Sequence, residues 1–161
     1  MFLGASWSVL DLDGAGESIN RYRGEARGFV RLKGQSVLGV RVLYEGADRA
    51  RPPYERSLLG GMSTLRGHGA GEFAGDRMLV TSVEIRAPLT SPMGIGKTGV
   101  RIFYDSGVAW NVEQRRQDLP FQQGAGAGVF IAAPLFRINL DAAANLSGGG
   151  GRVHFTAGFS F

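Results

Sequence analysis

Residues 21–33 read RYRGEARGFVRLK, a run in which charged and uncharged side chains alternate. The odd positions carry Arg, Arg, Glu, Arg, Phe, Arg and Lys, whereas the even positions carry only Tyr, Gly, Ala, Val and Leu. Successive side chains of a β-strand point to opposite faces of its sheet, so this run predicts a strand with one charged face and one small or apolar face. The run is also longer than an ordinary strand of roughly five or six residues.

The same period of two recurs along the 161-residue chain. We predict further strands at 2–11, 37–45, 79–89, 100–110, 124–133, 136–146 and 153–161, of which 2–11 and 124–133 show the weaker pattern. Turn-forming residues separate several of them, at 13–16, 33–35, 91–94 and 148–151. The sequence therefore predicts an all-β, antiparallel fold of eight strands in a single domain, 1–161.

Two connections between these strands are longer than turns. Residues 111–123 are polar, and residues 46–75 form a much longer segment rich in Gly, Pro and Arg. A connection of that length in an otherwise economical chain is usually functional or disordered. We therefore single out 46–75 as the segment to examine for function.

Alternation alone is compatible with two kinds of barrel. A lipocalin-like soluble binder has its apolar face inside, whereas a membrane barrel has it outside. Three features favour the membrane barrel. The strands reach the roughly ten residues of a tilted bilayer crossing, and the polar faces carry Arg and Glu in consecutive positions. Tyr44, Trp110 and Phe161 also fall near strand ends, where a membrane barrel has its aromatic girdles. Solubility without detergent would instead indicate the soluble binder.

The basic composition has a local explanation. The net charge of +4 and the pI near 10.0 would suit a nucleic-acid-binding protein. However, most strand arginines share the polar face, while many aromatic residues lie on the opposite one. We therefore expect a cation-rich, solvated lumen and no nucleic-acid partner. No run approaches the about 20 apolar residues of a membrane-spanning helix, and residues 1–10 lack signal-peptide features, so we expect a removed presequence or a fragment.

No residue pattern indicates an enzyme. Residues 94–98 read GIGKT, like the end of a phosphate-binding loop, but Ser91 replaces the required first glycine and no helix is predicted to follow. Residues 11–14 lack the other ligands of a calcium loop. His68 and His154 lie on different elements, and the chain has no cysteine. We expect no cofactor, no metal and no catalytic residues.

Three local signatures carry a resemblance to a known family. They are LGG at 59–61 with LRGH at 65–68, FYDSG at 103–107, and FTAGFSF at 155–161. Together they resemble the bacterial surface antigen family, the outer-membrane assembly and translocation barrels that include BamA, TamA and the two-partner secretion transporters. GEFAGDR at 71–77 and EIRAP at 84–88 are also similar to members of that family. The resemblance covers the whole chain, in order.

The resemblance implies a loop that folds back into the barrel. The family's loop motif is Arg-Gly-aromatic, which here is Arg66, Gly67 and His68, so a histidine stands where the family has Phe or Tyr. The strand motif Phe-x-Asp-x-Gly, which includes Asp105 and Gly107, supplies the carboxylate for the arginine. The alternation pattern independently assigns Asp105 and Glu84 to the polar faces of their strands, because residues of the same odd or even parity share a face. We predict that Arg66 pins the loop through Asp105, with Glu84 as a second acceptor.

The resemblance also implies how the chain ends and what it lacks. Phe155, Phe159 and Phe161 match the family's terminal assembly signal, although Thr156 stands where Gly is usual. The family's full barrel has sixteen strands preceded by POTRA modules. Eight strands with the long loop after the third match its C-terminal half alone, without POTRA modules. We expect a second copy, as a homodimer, or a missing N-terminal half to complete the barrel.

The function that the resemblance implies is protein insertion or translocation at the bacterial outer membrane. The expected partners are outer-membrane lipid and lipopolysaccharide, together with client outer-membrane or secreted proteins. The alternative is a passive structural or pore-forming barrel without insertase activity. Folding of a client barrel into liposomes separates these two functions.

Overall fold

A computed structural model describes residues 2–11, 18–91 and 96–159, and the described residues form an all-β structure. The all-β, antiparallel prediction is confirmed. The strands are β1 (Phe2–Asp11), β2 (Ser18–Arg31), β3 (Val37–Ala47), β4 (Ser57–Leu59), β5 (Phe73–Gly75), β6 (Arg77–Thr90), β7 (Lys97–Trp110), β8 (Gln122–Ala132), β9 (Phe136–Asn145) and β10 (Gly151–Phe159). Among the described residues, no helix is long and apolar enough to cross a membrane.

One eight-stranded sheet contains most of these strands, in the order β1-β2-β3-β6-β7-β8-β9-β10. Every neighbouring pair is antiparallel and follows the chain order, apart from the small β4–β5 sheet between β3 and β6. The predicted strands correspond to the eight of this sheet, with ends shifted by a few residues. For example, β2 ends at Arg31 because the amide of Leu32 already bonds to the carbonyl of Ser36 across the turn.

The long loop is more ordered than the alternation pattern predicts. β3 continues to Ala47, which pairs with Arg21, so the loop comprises residues 48–76 rather than 46–75. It contains β4, β5 and a short 3-10 helix, Pro53–Glu55. Strands of three residues carry too little alternation to be recognised in a sequence. A second 3-10 helix, Arg116–Asp118, lies between β7 and β8.

The connections differ in length between the two rims of the sheet. Residues 32–36 and 133–135 are short connections at one rim, where residues 91–96 also connect β6 to β7. The other rim carries 48–76, 111–121 and 146–150. Short turns on one side and longer loops on the other are typical of transmembrane barrels. The predicted turn at 13–16 and most of that at 91–94 lie outside the described residues.

The sheet has an inner face, against which the long loop packs, and an outer face. Large apolar side chains of the outer face remain exposed, as in Ile102, which is 55% exposed, and Val129, which is 49% exposed. Tyr44 and Trp110 meet near the long-loop rim, with ring centroids 6.4 Å apart. A membrane barrel requires such a surface, apolar along the strands and aromatic near a rim.

The two outermost strands, β1 and β10, form the edges of the sheet. In the part of the chain that the structure describes, β1 pairs with β2 and β10 pairs with β9, and the two edges do not pair with each other. The sheet is therefore open. Phe155 and Phe159 of β10 are exposed, and Phe161 lies outside the described residues.

Candidate functional site

Two leucines anchor the long loop to the inner face of the sheet. Leu59 and Leu65 are completely buried, and they share an apolar cluster with Leu43, Met78 and Val80. The last three side chains come from the inner faces of β3 and β6 near the long-loop rim. Their burial together with the two leucines holds this part of the loop against the sheet.

Arg66 follows directly after this anchor and extends its side chain to β6 and β7. Its Nε and Nη2 donate to the two carboxylate oxygens of Asp105 at 2.7 and 2.8 Å. Its Nη1 donates to Glu84 Oε2 at 2.7 Å, and its backbone amide donates to Asp105 Oδ2 at 3.1 Å. The structure therefore brings together the three residues that the sequence assigned to the loop contact. A bidentate guanidinium–carboxylate pair fixes both the position and the orientation of the arginine.

Neighbouring side chains complete the surroundings of the Arg66 guanidinium. Its Cζ lies 3.4 Å from the ring centroid of Phe103, a cation–π contact on the same strand as Asp105. The hydroxyl of Ser82 donates to Asp105, and Arg86 donates to Glu84. The carboxylates that hold Arg66 are thus themselves held by neighbouring polar groups.

Gly67 is required by both its backbone conformation and its packing. Its φ is +93°, a region that residues with a side chain rarely adopt. A Cβ on Gly67 would also lie 2.6 Å from the carbonyl oxygen of Ala144 on β9. Its amide donates to Nε2 of His154 on β10 at 3.3 Å. Gly67 therefore lets the loop backbone approach the last two strands closely.

His68 docks through polar contacts as well as through its ring. It is 1% exposed, with Nε2 3.1 Å from the carbonyl oxygen of Gln123 and Nδ1 3.2 Å from Glu72 Oε1. Its ring centroid lies 5.5 Å from that of Phe73. The histidine thus occupies a buried position, as an aromatic residue would, and adds hydrogen bonds to it.

Glu72 ties the loop to itself beneath His68. The amide of Gly69 donates to Glu72 Oε2 at 2.6 Å. This hydrogen bond, followed by the contact with His68, holds the pKa of the Glu72 carboxyl below its usual range. The turn that follows the Arg66–His68 segment is therefore best stabilised while Glu72 is ionised.

Gly107 lies where the loop anchor packs against β7. A Cβ on Gly107 would lie 2.8 Å from Cδ1 of Leu59. The glycine of the strand motif therefore accommodates the apolar anchor, while Asp105 of the same motif holds Arg66.

A row of glycines on the inner face of β8 is a part of the site that the sequence did not identify. A Cβ would lie 1.9 Å from the carbonyl oxygen of Arg66 at Gly124, and 2.6 Å from the Phe103 ring at Gly126. At Gly128 it would lie 2.0 Å from Asp141 Oδ1. The row is visible in the sequence as GAGAG at 124–128. Which side chains occupy the space beside these glycines, however, depends on which other strands and loop residues pack against the inner face of β8.

The pair of Arg101 and Asp141 was also missed. Arg101 Nε donates to Asp141 Oδ1 at 2.7 Å, and Arg101 is 7% exposed and Asp141 1%. The two residues lie on β7 and β9, so their side chains meet across β8 at Gly128. Arg101 Nη1 also lies 3.7 Å from Glu84 Oε1, which links this pair electrostatically to the Arg66 site.

The base of the loop is closed by a second buried arginine that the sequence did not single out. The amide of Arg51 donates to Asp76 Oδ1 at 2.8 Å, and its Nη2 donates to Ser57 Oγ at 2.7 Å. Asp76 Oδ2 accepts from the amide of Val112 at 3.0 Å. The two ends of the loop are therefore joined to each other and to the connection after β7.

Carboxylates partly balance the basic residues of the inner face. Arg23 donates to Glu45 at 2.6 Å, and Arg41 donates to Glu25, also at 2.6 Å. Arg41 additionally donates to the carbonyl of Ser63 in the loop at 2.6 Å. β2 and β3 thus contribute ion pairs that face the loop, in agreement with the charged face expected for 21–33.

Comparison with known proteins identifies one family. A family model described as the Omp85 superfamily domain matches residues 7–161. Members of this superfamily are outer-membrane proteins of Gram-negative bacteria or of organelles, and the family suggests a barrel for protein insertion or translocation. No curated protein matches the chain.

Proposed function

Because the chain belongs to the Omp85 superfamily, we propose that it forms part of an outer-membrane barrel that inserts or translocates proteins, with Arg66 pinning the long loop inside the lumen. The bidentate contact between Arg66 and Asp105, extended by Glu84, is the observation that carries this proposal. The arrangement requires no cofactor and no catalytic step. It works by holding a loop against one face of a sheet whose edges are open.

The pinned loop has a physical basis in the burial of its ions. Asp105 is 1% exposed and Arg66 is 8% exposed, so removing either one leaves the other charge buried without its main partner. Removing one partner of such a buried pair costs about 3–5 kcal/mol. We therefore assign the contact a structural role as a lock, which keeps the loop in the lumen while the edges of the sheet move.

The environment proposed for the outer face is the bacterial outer membrane. The exposed apolar side chains of β3, β6, β7 and β8 would contact lipid tails, and basic residues near the rims would contact acidic lipopolysaccharide. The support for this assignment is the combination of superfamily membership with an apolar surface that remains exposed in the folded chain.

We propose further that a second copy, or the N-terminal half of a longer polypeptide, completes the barrel. Open sheet edges are not tolerated in lipid, because each unpaired backbone group costs several kcal/mol. β1 runs toward the long-loop rim and β10 runs away from it, so β10 of one copy can pair antiparallel with β1 of another. An eight-stranded closed barrel is just filled by its own side chains, which leaves little room for the loop.

The native mass of the folded chain in detergent micelles tests this arrangement. A mass of two chains supports the two-fold ring of sixteen strands. A single chain whose electrophoretic mobility changes on heating would indicate a small closed barrel and contradict the pinned loop.

The clients proposed are outer-membrane or secreted proteins. A client strand can exchange hydrogen bonds with β1 or β10 where the seam that completes the barrel opens, since an unpaired edge is a template for strand addition. Phe155, Phe159 and Phe161 would serve as a recognition signal for the cell's own barrel-assembly machinery.

Folding of a client barrel into liposomes that contain this protein tests the activity. We expect faster client folding than in empty liposomes, and a smaller acceleration with Arg66→Ala. The alternative is a passive structural or pore-forming barrel, for which the basic inner face provides a polar lining. Client folding at the rate seen in empty liposomes would favour that alternative.

A further inference from the structure

The loop contacts the edge strand β10 at a point separate from the Arg66 lock. The Gly67 amide donates to Nε2 of His154, and the Thr156 hydroxyl contacts Sδ of Met62 in the loop. Both contacts lie on the inner face of β10. The long loop therefore bridges the sheet from β6 to its last strand, where it touches an edge.

The hydrogen bond from Gly67 specifies one protonation state of His154. A backbone amide can only donate, so Nε2 must be the unprotonated nitrogen of the ring and Nδ1 must carry the hydrogen. An imidazolium has a hydrogen on both nitrogens, and its Nε2 would then face the Gly67 amide donor to donor. The contact at 3.3 Å is consequently available to neutral His154 alone.

The charged groups around His154 are already engaged with one another. Asp141 of β9 is its cross-strand partner and binds Arg101, while Asp105 of β7 binds Arg66 of the loop. Arg152, the remaining charged neighbour, lies on β10 itself. No carboxylate among these groups lacks a guanidinium partner, so the surroundings offer a protonated His154 no unpaired counter-ion to replace the lost hydrogen bond.

We infer that His154 is a positioning residue that attaches the long loop to the edge strand β10 in its neutral form and releases it when protonated. This inference rests on the proposed function, in which the loop is docked in the lumen and β10 is a working edge. It adds a second, proton-sensitive attachment to the Arg66 lock. Since the contacts of Arg66 lie on β6 and β7, protonation would weaken the attachment of β10 while the loop stays pinned elsewhere.

The absence of cysteine from the chain allows a direct test. Met62→Cys and Thr156→Cys place two thiols where loop and strand touch, and the rate of disulfide formation in micelles, under a fixed oxidant, reports their contact. The matched background is His154→Gln, whose side-chain carbonyl accepts a hydrogen bond at every pH. Dividing the rate measured with His154 in place by the rate measured in the His154→Gln background removes the pH dependence of thiol chemistry.

We expect this ratio to fall about three- to tenfold between pH 8 and pH 5, the range in which histidine titrates. A fall of that size corresponds to the loss of one hydrogen bond. A ratio that stays constant while the disulfide forms would overturn the inference and leave the pinned loop intact. If no disulfide formed at any pH in either background, both the His154 inference and the pinned loop would be overturned, because the loop would then not be docked. His154→Asn serves as a second neutral variant if His154→Gln does not fold.

Discussion

Asp105 on β7 accepts hydrogen bonds from both the side chain and the backbone amide of Arg66, a residue 39 positions earlier in the chain. A single carboxylate thereby fixes the position of a loop residue and the orientation of its guanidinium. A lysine could supply the charge but not the planar fork that meets two oxygens at once. The contact should therefore depend on arginine itself.

Arg66→Ala should release the loop without unfolding the sheet. The change leaves Asp105 and Glu84 without their main donor, and removing one partner of a buried pair costs about 3–5 kcal/mol. We expect protease to cleave within 48–76 in the folded variant, while its native mass in micelles and its β-strand content, measured by circular dichroism, stay unchanged. Arg66→Lys should give an intermediate cleavage rate.

Tyr54→Ala is the control for this experiment, because Tyr54 lies in the same loop and is 80% exposed. It should leave the cleavage pattern as in the parent protein. If Arg66→Ala were cleaved no faster than Tyr54→Ala, the loop would be held by something other than the arginine.

Gly67→Ala should release the same loop without altering any charge. The added methyl group would lie 2.6 Å from the Ala144 carbonyl oxygen, and the φ of +93° would be strained. Gly149→Ala is a matched control, since its φ is +78° and no atom lies within 4 Å of the added carbon. Both variants carry backbone strain of about 1–2 kcal/mol, but only Gly67→Ala should increase proteolysis of the loop. Proteolysis of the loop that is no higher in Gly67→Ala than in Gly149→Ala would mean that the close approach of Gly67 to β9 does not hold the loop.

Gly128→Ala should weaken the sheet where β7 and β9 meet across β8. Its methyl group would lie 2.0 Å from Asp141 Oδ1 and would displace that carboxylate from Arg101, which we expect to cost about 1–3 kcal/mol. Gly28→Ala on β2 meets nothing within 4 Å and should be neutral or slightly stabilising. The midpoints of urea unfolding in micelles measure both. A Gly128→Ala midpoint no lower than that of Gly28→Ala would show that the row of glycines is not needed for packing.

Docking of the turn after His68 should weaken in acid through Glu72. The amide of Gly69 and the ring of His68 hold the pKa of Glu72 below its usual range. The carboxylate therefore stabilises the docked turn above its ordinary pKa, and this contribution is lost as the pH falls through the lowered value. Proteolysis of the loop, measured with an acid-stable protease, should increase in that acidic range. The increase should be absent in Glu72→Gln, and its persistence there would assign the acid effect to another group.

The alternation of side chains was enough to predict the long strands and to separate a polar from an apolar face on each, but not to decide which of the two faces is the inner one. Residues 21–33 place charge on one side because each second residue points the same way, and this holds whatever the strand pairs with. Arg66, Asp105 and Glu84 could be grouped because a family motif adds to the parity of their strands. The ends of β2 and β3 were predicted less accurately than the strands themselves, because turn hydrogen bonds determine where strand pairing stops.

The remaining parts of the site depend on register and on the path of the loop. Arg101 and Asp141 both have the parity of the inner face, but they meet only because β8 lies between them with a glycine at the crossing point. Arg51 and Asp76 lie 25 positions apart in a segment without alternation, and only the folded loop brings them together. His154 has the parity of the inner face, yet its contact with Gly67 spans 87 positions.

The order in which Arg66, Gly67 and His68 meet their partners has a consequence for assembly. Their contacts lie at Glu84, Asp105, Gln123 and His154, at separations of 18, 39, 55 and 87 residues, all toward the C-terminus. Contacts of high sequence separation form slowly, because the intervening chain must first be ordered. The Arg66–His68 segment thus leaves the ribosome before every strand that it contacts through these bonds, and its docking is a late step that reports completion of the β9–β10 hairpin.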